Sequence, residues 1–232
     1  QCGSRQAAVD GDGRVTGSRK TRATRQPVPQ EPLADDGLPR CPWATVAGAD
    51  ASYRRYHDQE WGVPLHGDDA LFEFLVLEGA QAGLSWRTVL AKRMHYRKRF
   101  HDFSIARVAA VTDVELESLL EDSGLIRNRL KIFSARDNAR AAREIIVRHG
   151  SLDAWLWSFV KGTPRLNHWQ RPQDVPASTA ESDAMSKALR AHGFRFVGST
   201  ICYAFMQATG MVNDHLVHCF RHPQRSDKPR RS

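Results

Sequence analysis

One carboxylate attracts attention because it falls among the apolar residues of a predicted helix. When residues 68–83 are projected as an α-helix at about 100° per residue, Glu78 falls on the same face as Leu71 and Leu75. Burying an unpaired carboxylate is costly, so this side chain must be paired, protonated or directed at a ligand. Its position alone is equally compatible with a satisfied core glutamate and with the floor of a ligand pocket.

Aromatic residues lie on both sides of this carboxylate in the sequence. They are Trp43, Tyr53, Tyr56, Trp61 and Trp86. Flat rings around a carboxylate suit a flat, cationic or electron-poor ligand, which gains from stacking and from cation–π attraction. Aromatic side chains more often form ordinary core, so the pattern leaves both interpretations open.

A second set of residues could bind a metal ion. His215 and Cys219 are four residues apart, which would place them on one face of a helical turn, while Cys41 and His57 lie far upstream. Four nitrogen and sulfur ligands would complete a closed tetrahedral zinc site. No compact CxxC element is present, however, and the spacing alone favours buried thiols and ordinary histidines.

These side chains belong to a chain that we predict to be all-α. Period-two alternation of apolar residues is scarce, whereas capping residues and glycines divide the chain into helical segments. The predicted helix starts are Asp50, Asp68, Ser85, Thr112 (with Glu115), Asn128 and Ser151, and further helices are predicted near 182–192 and 198–209. The predicted helix ends are Gly62, Gly83, Gly124, Gly150, Gly193 and Gly210.

A short glycine-containing turn joins two of these helices between residues 119 and 131. Backbone amides at the start of the second helix could bind a phosphate with the help of the helix dipole. Arg127, Arg129 and Lys131 add positive charge there. Most helix hairpins bind nothing, so the turn by itself does not establish a binding site.

The composition excludes several classes of protein. The 232 residues are 41% hydrophobic and 26% charged, which is ordinary for a globular domain, and four cysteines do not form a disulfide scaffold. No apolar run approaches the ~20 residues of a membrane-spanning helix. We therefore expect no membrane association. Since neither a GxGxxG motif nor a P-loop is present, we also expect no nucleotide cofactor.

The net charge of +8 comes from the two ends of the chain. Residues 1–30 carry six Lys or Arg against two Asp, and residues 221–232 carry five against one, so the central part is neutral. We therefore predict a disordered basic arm over 1–38, a folded domain over 39–220 and a disordered basic tail over 221–232. The arm lacks the apolar segment of a secretory signal, which favours a cytoplasmic location.

Taken together, several long motifs resemble the 3-methyladenine DNA glycosylase I family. They comprise residues 40–43 (RCPW), 56–64 (YHDQEWGVP), 77–86 (LEGAQAGLSW), 182–198, 200–203 (TICY) and 213–215 (NDH). The resemblance runs almost continuously from Cys41 to Cys219. One departure is Ala204, which stands where some members of the family have serine.

The resemblance implies a helix-hairpin-helix DNA glycosylase fold, with the hairpin over about residues 112–149 as its DNA anchor. It implies one structural zinc ion that ties the two ends of the domain together through Cys41, His57, His215 and Cys219. It also implies a base pocket around Glu78, in which Tyr56 and Trp86 contact a flipped base and Trp43, Tyr53 and Trp61 complete the aromatic wall. The implied DNA contacts are Gly83, Leu84 (as an apolar wedge), Gly124, Ile126, Arg127, Arg129 and Lys131.

The implied activity is hydrolysis of the N-glycosidic bond of N3-methyladenine in alkylated double-stranded DNA, which leaves an abasic site. Weaker excision of 3-methylguanine and a monomeric state are further expectations. One alternative is a helix-hairpin-helix DNA-binding protein without catalytic activity, against which the intact Glu78, Tyr56 and Trp86 argue. Another is a zinc hydrolase, which would need an open position on the metal.

Overall fold

The computed structural model describes residues 36–46 and 51–223, and this part of the chain is mainly α-helical. Its α-helices are α1 (Ala51–Gln59), α2 (Asp68–Gln81), α3 (Trp86–Arg99), α4 (Ile105–Ala109), α5 (Asp113–Leu119), α6 (Arg129–His149), α7 (Leu152–Trp157), α8 (Ala180–Ala191) and α9 (Ser199–Ala208). Short 3-10 helices span Pro42–Ala44, His101–Phe103, Ser158–Val160 and Pro172–Asp174. The strands β1 (Arg165–Leu166) and β2 (Val212–Asn213) pair in parallel. The predicted all-α class is confirmed, with this small strand pair as an addition.

Four predicted helix starts are confirmed by their capping hydrogen bonds. The side-chain oxygens of Ser85, Thr112, Asn128 and Ser151 each accept a hydrogen bond from the backbone N–H three residues later. Such caps satisfy donors that have no partner within the helix. Local sequence was sufficient to predict them because each cap involves only one turn of chain.

Two expectations about helix ends were wrong. Gly67, not Asp68, is the N-cap residue of α2. The Asp68 carboxylate instead accepts hydrogen bonds from the Ser151 hydroxyl at 2.9 Å and the Asp153 N–H at 2.8 Å, so it joins α2 to the start of α7. Helix α5 ends at Leu119, before Gly124, and an extended turn follows. The predicted cap at residue 50 lies outside the described residues.

Helix α2 lies at the centre of the fold. Residues 71–80 are all buried, and the helix contacts α3, α6, α7 and α9. A helix that is apolar on nearly every side is expected to be surrounded by other elements. Two of its buried residues, Glu73 and Glu78, are acidic. The central helix therefore carries two charges that the fold or a ligand must satisfy.

Contacts at both ends extend beyond the predicted domain boundaries. Asp36 pairs with Arg40 at 2.7 Å and with Arg54 at 2.5 Å. His222 is fully buried, and its Nε2 lies 3.1 Å from the Asn167 carbonyl oxygen. The rest of the predicted arm and tail, residues 1–35 and 224–232, lies outside the described residues. Within the described ranges, no helix is long and apolar enough to cross a membrane.

Candidate active site and metal centre

A cavity of about 360 Å³ is lined by α1, the end of α2, the start of α3, α9 and the segment that follows α9. Its wall contains Glu78 together with Trp43, Tyr53, Tyr56, Trp61 and Trp86. The structure thus brings together all six residues predicted for a pocket, although they span 44 positions of the sequence from Trp43 to Trp86. Its size lies within the range of small-molecule sites.

Glu78 is buried in this wall without a partner. The residue is only 4% exposed, and no hydrogen bond or ion pair to its carboxylate is found among the described residues. Burial raises the pKa of the Glu78 carboxyl from 4.5 to about 8. A buried carboxylate that the fold leaves uncompensated gains most from a ligand that brings positive charge or N–H donors.

The aromatic rings around Glu78 pack against one another. Trp43 meets Tyr53 and Trp61 edge-on, with ring centroids 5.3 and 5.2 Å apart, and Tyr56 is tilted against Trp86 at 5.4 Å. Burial, and then the charge of Glu78, hold the pKa of Tyr56 well above its usual range, so its hydroxyl remains a donor. The buried Trp86 Nε1 has no partner within the described ranges. These contacts fix the rings before a ligand arrives.

Sequence reasoning missed a second carboxylate in the same wall. Asp214 is 2% exposed. Four donors surround it: Asn167 Nδ2 at 2.7 Å, Trp169 Nε1 at 2.8 Å, the Tyr203 hydroxyl at 2.6 Å and Gln207 Nε2 at 2.7 Å. The apolar neighbours Val212 and Leu216 were the available signal that this residue is buried. Gln81, Ala204 and Gln207 also line the cavity, and none of them had been assigned to a pocket.

A buried cluster of two cysteines and two histidines adjoins this cavity. The ligand atoms of Cys41, His57, His215 and Cys219 lie within 4.8 Å of one another. Cys219 Sγ is 3.5 Å from both His57 Nε2 and His215 Nδ1, and Cys41 Sγ is 3.7 Å from His215 Nδ1. Four convergent sulfur and nitrogen atoms at such short separations can surround a small ion, so this cluster could hold a metal.

The second ring nitrogen of each histidine is also held in place. His57 Nδ1 lies 2.7 Å from the Asp58 carboxylate, which Arg40 binds in turn, and His215 Nε2 lies 3.0 Å from the Trp61 carbonyl oxygen. Acceptors at these positions direct the other nitrogen of each ring toward the cysteines, as in metal sites with ordered outer partners. Hydrogen bonding from Cys41, then from His215 and His57, lowers the pKa of the Cys219 thiol.

Comparison with known proteins agrees with this geometry. A family model described as methyladenine glycosylase matches residues 43–222. The chain belongs to the methyladenine glycosylase family. A curated relative from Escherichia coli K12, named DNA-3-methyladenine glycosylase 1, is 47% identical over 186 residues, which cover 80% of this chain and 98% of the relative.

Solved structures of the family are similar over the same region. A crystal structure of a 3-methyladenine DNA glycosylase I matches with a TM-score of 0.77 at 48% identity, covering 80% of this chain and 100% of the other. The Staphylococcus aureus enzyme, whose structure was described for its recognition of 3-methyladenine, matches with a TM-score of 0.76 at 33% identity, covering 79% and 96%. The family and fold predicted from the motifs are confirmed.

The hairpin of this methyladenine glycosylase is held by α3. Lys92 Nζ donates to the Ser123 carbonyl at 2.7 Å, and His95 Nε2 lies 2.8 Å from the Asp122 carboxylate. Gly124 is so close to the His95 ring that a Cβ atom would overlap it. The basic residues of α3 therefore serve in part to hold the turn, and any side chain at position 124 would have to displace the His95 ring.

The predicted DNA contacts differ in how accessible they are. Gly83, at a φ of +78°, and Leu84, which is 42% exposed, form an exposed turn after α2. Arg127 is exposed and Ile126 is half-buried, with its N–H donating to the Tyr96 hydroxyl at 3.2 Å. Arg129 is exposed, pairs with Glu117 and lies over the Phe133 ring at 4.2 Å.

Lys131 is placed differently from the other cations of the hairpin. It is half-buried, and its Nζ donates to the Ala80 carbonyl at 2.9 Å and to the Ala82 carbonyl at 2.5 Å. Burial lowers the pKa of its ammonium group. Its charge thus lies at the C-terminal end of α2, a position that complements the helix dipole.

Proposed function

We propose that this methyladenine glycosylase excises N3-methyladenine from alkylated double-stranded DNA by hydrolysing its N-glycosidic bond. The observation that carries the proposal is the buried Glu78, which has no partner among the described residues and faces a cavity walled by aromatic rings. Methylation at N3 gives adenine a formal positive charge while it is attached to the sugar. That cation matches the uncompensated carboxylate and the π-faces around it.

Recognition divides among three residues. Glu78 accepts hydrogen bonds from the adenine edge and complements its charge, Tyr56 donates from its hydroxyl, and Trp86 stacks on the base. A desolvated cation–π contact contributes ~2 kcal/mol or more, and a hydrogen bond to a charged group ~1.5–3 kcal/mol. Normal adenine is neutral and better paired in the duplex, so it loses these gains and resists flipping.

The bond-breaking step needs little assistance because the alkylated base is already a good leaving group. The C1′–N9 bond breaks with its electron pair passing to the base, whose positive charge is thereby cancelled. Water forms the new bond to C1′ and releases a proton, leaving an abasic sugar. We assign no general base; Glu78 recognises the base and is the candidate for positioning the water.

DNA approaches the exposed turn and the hairpin. Leu84 inserts as an apolar wedge and offsets part of the stacking lost when the base flips out. The hairpin, with Gly124 and Ile126 in its turn, presents Arg127 and Arg129 for phosphate contacts and the first backbone amides of α6 for anion binding.

The metal of this proposal is one structural Zn²⁺ held by Cys41, His57, His215 and Cys219. Tetrahedral bond lengths of about 2.3 Å to sulfur and 2.0 Å to nitrogen imply S···N separations of about 3.5–3.6 Å, and three of the four separations here are 3.5–3.7 Å. When bound, the ion supplies cross-linking and no activated water, since four protein ligands fill its coordination shell.

The zinc assignment predicts that stability and metal content fall together. Cys41→Ser or His215→Ala should lower the melting temperature and the zinc measured by atomic emission, because metal binding contributes folding free energy. Cys202→Ser is the matched control, since Cys202 is a buried free thiol outside the cluster. A stable wild-type protein without bound metal would contradict the assignment.

The proposed activity is tested by incubating the purified protein with methylated DNA and identifying the released bases by chromatography. We expect release of 3-methyladenine, and the same separation measures any 3-methylguanine. A protein that binds this DNA but releases no base would support the non-catalytic alternative. Monomeric state and cytoplasmic location stay predictions.

A further inference from the structure

The ammonium group of Lys131 connects two parts of the molecule that are distant in sequence. Lys131 lies in the first turn of α6, directly after the turn of the hairpin, and its two acceptors, the Ala80 and Ala82 carbonyls, lie at the end of α2. These carbonyls belong to the last turn of a helix, where acceptors have no partner within the helix. The ammonium group of Lys131 therefore caps the C-terminal end of α2 from the hairpin.

The segment that Lys131 holds carries much of the site. Glu78 and Gln81 lie on the last turns of α2, and the exposed Gly83–Leu84 turn follows directly. Gly83 adopts a φ of +78°, and the Leu84 N–H donates to the Gln81 carbonyl at 2.6 Å. The Ala82 carbonyl bound by Lys131 belongs to this same turn.

We propose that Lys131 is a positioning residue that fixes the end of α2 and the Leu84 turn against the hairpin, and that it is not a ligand for DNA phosphate. This revises the role expected for Lys131 from its position among the basic residues of the hairpin. The inference rests on the proposed function for its consequence in catalysis, but its structural part concerns the DNA-free protein.

Two physical reasons support positioning over phosphate binding. Two of the three ammonium donors are already directed at carbonyl oxygens, and the side chain is half-buried, whereas Arg127 and Arg129 are exposed. A phosphate contact would have to break these hydrogen bonds and deprive the Ala80 and Ala82 carbonyls of this donor. A wedge that must enter DNA in register with the hairpin also needs a fixed distance between the two.

The first experiment uses hydrogen exchange in the DNA-free holoprotein. Lys131→Met, which keeps the apolar stem, should raise exchange of the hydrogen-bonded amides within residues 82–85, those of Ala82 and Leu84, by about tenfold or more, while the remaining helices keep their protection. Lys131→Gln, which retains an N–H donor, should restore part of the protection. Arg127→Gln is the matched control and should leave exchange in this turn unchanged.

The second experiment measures how the affinity for a duplex containing an abasic analogue depends on salt. Each phosphate contact contributes about 0.9 to the slope of log K against log salt. We expect Lys131→Met to leave the slope unchanged and Arg127→Gln to lower it by about that amount. At saturating enzyme, Lys131→Met should slow single-turnover excision by about ten- to a hundredfold.

These measurements distinguish a failure of the positioning role of Lys131 from a failure of the proposed glycosylase activity. A slope that falls by about 0.9 in Lys131→Met, or unchanged exchange at residues 82–85, would overturn the positioning role. If the methionine variant unfolds, the glutamine variant decides, because it too removes the charge and must leave the salt slope unchanged. Absence of base release by the wild type would refute the activity but would leave the exchange and salt results decisive for Lys131.

Discussion

Helix α2 carries two buried glutamates five residues apart, and their surroundings are opposite. Glu73 accepts hydrogen bonds from Arg93 Nε at 2.6 Å and from Arg97 Nε and Nη2 at 2.9 and 3.0 Å. Glu78 has no such partner among the described residues, although it is equally buried, with exposures of 4% against 7%. Burial by itself does not separate a structural carboxylate from a functional one.

The difference lies in where the compensating charge comes from. The fold supplies two arginines to Glu73, so that carboxylate is neutralised without a ligand. No comparable cation reaches Glu78 from residues 36–46 or 51–223, and burial raises the pKa of its carboxyl to about 8. Ionised Glu78 is therefore destabilised in the empty pocket, and a cationic ligand would offset that cost. Substitution of the two residues should therefore have different consequences for stability and for activity.

The largest expected effect is an opposite change in stability. Glu73→Gln should lower the free energy of unfolding by about 3 kcal/mol, because it leaves the buried Arg93 and the half-buried Arg97 guanidinium groups less compensated. Glu78→Gln should raise it by up to about 5 kcal/mol well above pH 8, since the pKa shift from 4.5 to about 8 corresponds to about 1.4 kcal/mol per unit. Urea unfolding of the two variants and the wild type measures both changes.

The sign of the Glu78 effect follows from proton linkage. The pKa of the Glu78 carboxyl is higher in the folded protein, about 8, than the 4.5 of a free side chain. The folded state therefore binds the proton more tightly, and the wild type loses stability as the pH rises through this interval. The advantage of Glu78→Gln should grow from pH 5 to pH 8.5. If Glu73→Gln and Glu78→Gln changed the free energy of unfolding by the same amount and with the same pH dependence, the two glutamates would not differ in the way proposed.

The next largest effect is on catalysis. Glu78→Gln should lower kcat/KM for 3-methyladenine excision by about a hundredfold, because it removes a charge-assisted hydrogen bond and the complement to the cationic base. Glu73→Gln, compared at the same folded fraction, should stay within a few-fold of the wild type. Wild-type activity in the Glu78 variant would show that this carboxylate does not recognise the base.

The smallest effect concerns pH. In the free enzyme Glu78 must lose its proton before it can pair with a cationic base, so kcat/KM should rise about tenfold per pH unit up to pH 8 and then level off. Tyr56 stays protonated over this range, because burial raises its pKa well above 10. Glu78→Gln should abolish this rise. A flat wild-type profile between pH 6 and 8 would contradict a protonated resting state.

The success of sequence analysis depended on how local each feature is. The caps at Ser85, Thr112, Asn128 and Ser151 involve one turn of chain each, and they were predicted. The helical period was sufficient to place Glu78 on the apolar face of α2. It could not show that Glu78 lacks a partner, since that depends on every element around the cavity.

Features made by distant residues were not predictable in the same way. The Asp68 carboxylate had been assigned to the start of its own helix, yet it binds the start of α7. The four donors to Asp214 come from two separate segments, residues 167–169 and helix α9. For the metal cluster, spacing alone favoured ordinary side chains, and only the family motifs indicated the correct grouping of residues 41, 57, 215 and 219.

The metal cluster has a consequence for synthesis of the protein. Cys41 belongs both to the cluster and to the cavity wall, and the wall also contains Leu216 from the other end of the domain. A ribosome must therefore release nearly the whole domain before the last ligand, Cys219, can meet the first. Until then the nascent chain has Glu78 and the aromatic rings but lacks the part of the wall formed by Leu216, so the pocket and the cluster are completed only after residues 216–219 have left the ribosome.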